Sequence, residues 1–293
     1  MVLIDGKQTA AQIKEEIKNE VSEIIDNDLG APHLAAILVG EDPASETYVT
    51  HKENDCKAVG IVSSVYRLSA HISQDELLDT IDFINDDDEV HGLIVQLPLP
   101  KHINVDEVIG RIDPEKDVDG FHPLNVGKML LGQKTYLPAT PAGIMELLKR
   151  YKIETSGKNC VVLGRSNIVG TPMSALLSRK TDPGNCTVTL CHSKTKNIGQ
   201  IAREADILIA AMGQPEFVTG DMVKDNAVVI DVGIHRVPSE VTKSGFKLIG
   251  DVKFDEVAKK AGYITPVPGG VGPMTRVALL QNTLRAFKFI NGI

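Results

Sequence analysis

In PASETYVTHK (43–52), Tyr48 and Lys52 stand four residues apart, the spacing that puts two side chains on one face of a helix. Desolvation can lower a lysine's pKa until it moves protons near neutrality, and a phenol beside it is a fitting partner. An exposed lysine whose stem lies over a tyrosine ring has the same spacing, so the pair needs support from elsewhere in the chain. GLIVQLPLP (92–100) offers some: an apolar run ends on Gln96, followed by Leu97 and two prolines. Polar groups at strand ends commonly line the crevice of an α/β sheet. KDVDGF (116–121) adds Asp117 and Asp119. Singly, Gln96 could be an edge residue and Asp119 a turn former.

A second constellation is CVVLGRSNIVGTP (160–172), an apolar run followed by Gly164 and Gly170. A dinucleotide loop needs a tight turn, backbone close to phosphate and a helix N-terminus facing the anion. The GxGxxG pattern is incomplete, with Ser166 where its second glycine would stand, so an ordinary strand–turn–helix corner stays open. The next strand ends Leu190-Cys191-His192-Ser193-Lys194-Thr195, without the acid that would hold two ribose hydroxyls. Arg165 in the loop and Ser193 after the strand would instead bind a 2′-phosphate, which favours NADP over NAD. A Tyr-x-x-x-Lys pair also serves short-chain dehydrogenases, but there it follows the dinucleotide loop. Here it precedes that loop by more than a hundred residues. PVPGGVGPMT (266–275) reads as a close-approach loop before a last helix, suited to a ligand or to a rigid turn.

The elements that must position these groups alternate. Ile13, Ile17, Val21 and Ile24 recur at helical spacing, and Leu29-Gly30 closes that helix. Apolar runs at 33–40, 64–70 and 92–100 read as strands. Asp42-Pro43 reads as a helix start, and Ser73 with Glu76 as a capping box. Residues 86–89 are acidic and read as a solvated loop. The rhythm restarts after 120, with strands at 159–164, 186–191, 206–213 and 227–234. Helices are expected at about 141–151, from 169, over 197–205 and over 274–290. This predicts an α/β protein of two α/β domains with a ligand cleft between them, the second a Rossmann-like doubly wound parallel sheet. The Pro/Asp/Gly-rich stretch 113–125 is the expected boundary. It divides 1–120, completed by the C-terminal helix at about 274–293, from 121–273.

At 293 residues, with 42% hydrophobic and 24% charged, the chain has the composition of a globular protein of one or two domains. A net charge of −8, no tryptophan and 4% aromatics argue against nucleic-acid and anionic-membrane partners. No signal-peptide or membrane-spanning run is evident. The four cysteines fit no disulfide or CxxC framework, and Cys186, Cys191 and His192 make at most a partial metal set. The expectation is a reduced cytoplasmic protein that binds no metal.

Taken in order, PASETYVTHK, QLPLP, KDVDGF, PATPAG, GRSNIVGTPM, CHSKT, VIDVGI and PGGVGPMT resemble the bifunctional methylenetetrahydrofolate dehydrogenase/methenyltetrahydrofolate cyclohydrolase family. The resemblance runs from about residue 2 to 290. It implies a homodimeric enzyme of one-carbon metabolism and purine biosynthesis, with tetrahydrofolate substrates. Such an enzyme oxidises 5,10-methylenetetrahydrofolate with NADP and hydrolyses the methenyl product to 10-formyltetrahydrofolate in the same cleft. By match to the family motifs, Lys52 would be the key catalytic residue, Tyr48 would lie beside the folate, Gln96 would tune the lysine and Asp119 would anchor the pterin. Leu97, Gly272 and Pro273 would line the substrate. Gly164, Arg165 and Ser166 would cradle the NADP phosphates, Ser193 would assist at the 2′-phosphate, and Ile234 and Thr275 would lie near the nicotinamide.

Two stretches depart from the family pattern. Glu53-Asn54-Asp55 follows Lys52 where many relatives carry basic residues, adding negative charge that would favour the charged lysine and slow hydrolysis. Arg276 follows Thr275 where an apolar residue is common, and could meet a phosphate or a neighbouring loop. The alternatives are a dehydrogenase without cyclohydrolase activity, an NAD-dependent relative, and a folate- or nucleotide-binding protein without catalysis.

Overall fold

The computed structural model describes residues 1–240, 242 and 245–293, the side chain at position 44 excepted. In chain order the elements begin β1 (Val2–Leu3), α1 (Gly6–Asp26), β2 (His33–Val39), α2 (Pro43–Val59), β3 (Val62–Leu68), α3 (Gln74–Asn85) and β4 (Gly92–Val95). Next come α4 (Val105–Arg111), α5 (Pro123–Leu130), α6 (Ala139–Arg150), β5 (Asn159–Leu163), α7 (Gly170–Ser178), β6 (Thr187–Cys191), α8 (Ile198–Arg203) and β7 (Ile207–Ala210). The chain finishes with β8 (Val228–Asp231), β9 (His235–Pro238), β10 (Phe246–Ile249), α9 (Phe254–Val257), β11 (Tyr263–Ile264) and α10 (Val271–Ile290).

Two compact units result, one of residues 11–139 with 276–293, the other of 1–10 with 140–275. Both are α/β. The first holds a three-stranded parallel sheet in the order β3-β2-β4. Ile37, Leu77, Ile81, Ile84, Leu93 and Val108 pack its core. The helical spacing read in α1 is real, since Ile13, Ile17, Val21 and Ile24 are all buried. Asp42 caps α2 through Ser45 N, and Ser73 and Glu76 form the capping box of α3.

The second unit holds a six-stranded parallel sheet in the order β1-β11-β8-β7-β5-β6, with β9 and β10 as a separate antiparallel ribbon. Strand order reverses at β5, whose neighbours are β6 and β7. That is the place where a doubly wound sheet opens a crevice for ligands.

The structure departs from the sequence reading in three places. The division falls at 139/140, not at 120/121, because residues 117–136 fold back onto their own unit. Asn125 Nδ2 donates to Asp117 Oδ2 at 2.8 Å, Thr135 Oγ1 to Asn125 Oδ1 at 2.7 Å, and Tyr136 OH to Glu115 O at 2.8 Å. At the other end, residues 1–10 belong with the six-stranded sheet, where β1 pairs with β11. The last helix starts at Val271, so Gly272, Pro273 and Thr275 occupy its first turns and not a preceding loop.

Candidate active site

In the three-stranded unit, the switch in strand order lies between β2 and β4. Helix α2 leaves the carboxyl end of β2, and Gln96 follows β4 with its N–H donating to Ile37 O at 2.9 Å. The two ends bring the expected pair together: Lys52 Nζ donates to Gln96 Oε1 at 3.1 Å. Gln96 Nε2 donates to Leu97 O at 2.7 Å, which turns the amide oxygen toward the lysine. Lys52, Gln96 and Leu97 are half-buried, and Tyr48 is 44% exposed on the same helix. A carboxamide is suited to hold an amine without adding charge.

The two aspartates of KDVDGF have different surroundings. Asp117 is buried and accepts from Phe121 N at 3.2 Å, His122 N at 2.8 Å and Asn125 Nδ2. It shapes the turn, and burial raises its carboxyl to about 6 against those hydrogen bonds. Asp119 is half-buried; desolvation raises its pKa and the charge of Lys52 pulls it back. Gly120 between them and Phe121 has φ +73°, and a Cβ there would come within 2.7 Å of the Leu137 carbonyl carbon.

The acidic residues after Lys52 have cationic partners. Glu53 lies 3.5 Å from Arg67 Nη2, and Asp55 pairs with Lys14 and with Arg276.

In the six-stranded unit the turn after β5 is built for close approach. Gly164 has φ +115°, and a Cβ on it would sit 2.0 Å from Ala211 O. A Cβ on Gly170 would sit 1.9 Å from Gly164 O. Both glycines are therefore dictated by backbone packing at the mouth of the switch, which is the fit a dinucleotide loop requires. Ser166 in place of the missing glycine has a local task, its Oγ accepting from Val169 N at 3.2 Å and Gly170 N at 3.4 Å. Arg165 is exposed and has no ion-pair partner among the described residues. Leu163 pairs with Cys191, so Arg165 and Ser193 each follow the paired strand ends by two residues. Ser193 and Ile234 are exposed, the latter 48%. Thr275 Oγ1 lies 3.0 Å from Thr140 Oγ1; Gly272 is exposed and Pro273 half-buried.

Comparison with known proteins gives this arrangement its context. Residues 4–119 match the model of the tetrahydrofolate dehydrogenase/cyclohydrolase catalytic domain, and residues 138–291 that of the same family's NAD(P)-binding domain. The chain belongs to the tetrahydrofolate dehydrogenase/cyclohydrolase family. Bifunctional protein FolD of Bacteroides fragilis is 60% identical over 288 residues, 98% of either chain. The bifunctional FolD methylenetetrahydrofolate dehydrogenase/cyclohydrolase of Campylobacter jejuni superposes with a TM-score of 0.93 at 49% identity, covering 99% of each chain. The Trypanosoma brucei FolD enzyme, solved with NADP cofactor and inhibitor, gives 0.93 at 40% identity over 99% of this chain and 98% of that one. The chain is thus an enzyme, a bifunctional dehydrogenase/cyclohydrolase of FolD type acting on methylenetetrahydrofolate.

Within this tetrahydrofolate dehydrogenase/cyclohydrolase fold, the sequence reading missed one cluster. Asp251 Oδ2 accepts from Met212 N at 2.6 Å and Gly213 N at 2.9 Å, and its Oδ1 meets His235 Nε2 at 2.7 Å. Asp231 accepts from Gly233, Asp251 and Val252 N at 2.9–3.0 Å, and burial raises it to about 6. These carboxylates fix the loops that leave β7 and β8, including the turn before Ile234. The only sequence signal was an aspartate at the end of an apolar run, in VIDVG. No helix among the described residues is long and apolar enough to cross a membrane.

Proposed function

We propose that the enzyme oxidises 5,10-methylenetetrahydrofolate with NADP and hydrolyses the resulting 5,10-methenyl compound to 10-formyltetrahydrofolate, with Lys52 as the central catalytic residue of both steps. The Lys52–Gln96 hydrogen bond at the carboxyl ends of the strands carries this reading. NADP when bound supplies the hydride acceptor. Oxidation needs orientation more than a strong base, because hydride leaves as a one-carbon cation forms. Asp119 anchors the pterin, Tyr48 packs beside the folate, and Leu97, Gly272 and Pro273 line it.

Hydrolysis asks more of Lys52. As water's oxygen bonds to the electron-poor bridge carbon, one of its protons must reach N5, whose bond to that carbon breaks; the other is released. Lys52 Nζ, held by Gln96 Oε1, relays the first. Gly164, Arg165 and Ser166 hold the nucleotide phosphates, Ser193 assists at the 2′-phosphate, and Ile234 and Thr275 flank the nicotinamide.

Preference for NADP over NAD is supported by the exposed guanidinium of Arg165, without an ion-pair partner among the described residues, and by the absence of an acid at the end of β6. With NADP⁺ and NAD⁺ offered in parallel, absorbance of reduced cofactor should rise with NADP⁺ and little with NAD⁺. Arg165→Ala should remove most of that difference. Lys52→Met should abolish hydrolysis of the methenyl compound; unchanged hydrolysis would overturn the assignment of Lys52. The same reading makes the protein a cytoplasmic homodimer without nucleic-acid or membrane partners. Light scattering tests the dimer.

A further inference from the structure

We propose that Asp55 and Arg276 are a matched pair of positioning residues which, with Lys14, hold the Lys52 face of α2 in its reactive place; this rests on the role of Lys52 given above. Asp55 lies three residues beyond Lys52, one turn on and on the same side of α2. Its side chain is 10% exposed and faces two cations from other helices. Lys14 of α1 donates to Oδ1. Arg276 Nη1 of α10 lies 3.2 Å from Oδ2, as an ion pair without an aligned hydrogen bond.

The buried member, Asp55, depends on the two cations, whose side chains are 26% and 28% exposed. A carboxylate this deeply buried is tolerable only beside positive charge, and losing one partner leaves an uncompensated buried charge. Asp55 and Arg276 stand on different helices, far apart in sequence, and here they meet. The acid near the catalytic lysine is therefore matched by a guanidinium supplied from α10, next in sequence to Thr275. The triad ties α1, α2 and α10 one turn from Lys52. The contact it protects is narrow, since Lys52 Nζ and Gln96 Oε1 stand 3.1 Å apart and a slide of α2 of about 1 Å would take them out of hydrogen-bond range.

The test is a double-mutant cycle on the full-length enzyme, with both activities and the thermal midpoint measured for each variant. Arg276→Ile and Asp55→Ala should each lower kcat for methenyl hydrolysis about tenfold, and should lower NADP-linked oxidation by a smaller factor. A changed ratio of the two rates is what a smaller folded fraction cannot produce. The double variant should recover to within about twofold of the wild type, and Arg276→Lys should keep at least half of its hydrolysis. If a single variant fails to fold, the double variant and Arg276→Lys still decide the matter. Losses that multiply in the double variant, single variants that leave the ratio unchanged, or a double variant that folds yet stays inactive would overturn the pairing. A wild type without turnover would instead sink the reading of Lys52 itself.

Discussion

At the scale of single residues, charge is placed according to what each group must do. Asp117 and Asp231 are buried behind their sites and raised to about 6 by desolvation, while backbone N–H donors on each favour the ionised form. A carboxyl raised from its ordinary 3.8 binds protons more tightly in the folded than in the unfolded chain. Its contribution to stability is complete below about pH 4 and is lost as pH rises through 6. The loss is on the order of 3 kcal/mol per group. Urea unfolding followed from pH 4 to pH 7 should show this fall, and Asp117→Asn should flatten it. That variant also turns an amide N–H₂ toward donors that Asp117 now accepts from, which should cost about 1–3 kcal/mol at pH 7. A pH profile identical to the wild type's would mean that Asp117 does not titrate in this range. The residues legible in sequence were those whose types announce chemistry, namely Tyr48, Lys52, Gln96, Asp119 and Arg165. Asp251 and His235 were not legible, because a carboxylate that holds loop N–H groups looks in sequence like any surface acid.

At the scale of elements, legibility followed length and patterning. Strands β2, β5, β7 and β8 are buried apolar runs, and the caps of α2 and α3 have side-chain signatures, so sequence located them within a few residues. β1 and β11 have two residues each, too few to show a period, and their pairing is decided by the rest of the sheet. In the ribbon, β9 alternates partly covered and exposed residues and contains a proline, and β10 is exposed over its first three residues, so neither shows a buried apolar run. Gly-Val-Gly-Pro reads as a loop, yet α10 starts at Val271, because proline is acceptable in a first helical turn, where its missing N–H has no partner to lose. The β5–α7 corner shows where spacing alone falls short. The GxGxxG pattern fails at Ser166, yet the two glycines that remain are the two whose Cβ would strike backbone. Gly164→Ala should therefore lose dinucleotide binding, titrated by quenching or calorimetry, along with some stability. Ser166→Gly should weaken binding less than Gly164→Ala does, because the backbone N–H at 166 remains, while loosening the start of α7, where Val169 N and Gly170 N donate to Ser166 Oγ. Tight binding by a folded Gly164→Ala protein would show that this corner does not touch the nucleotide.

At the scale of the whole molecule, composition marks turns, whereas contacts decide where a unit closes. The Pro/Asp/Gly-rich stretch at 113–125 is a real change of direction, but Asp117 bonds to Asn125 and Asn125 to Thr135, 8 and 10 positions on, and the unit closes at 139. The cysteines give the molecule a uniform property. All four are buried and free, and desolvation raises every thiol, Cys56 to about 12 and Cys186 to about 11. Thiolate is the reactive form, so burial suppresses reaction twice, by excluding reagent and by withholding the ion. A disulfide-exchange reagent at pH 8 should thus find almost no thiol in the native enzyme and all four in urea. Because Cys56 adjoins Asp55 on the helix of Lys52, its labelling also reports local opening of α2. Tetrahydrofolate substrate and NADP should slow that labelling further if α2 is part of the site, whereas a ligand-independent rate would place the opening elsewhere.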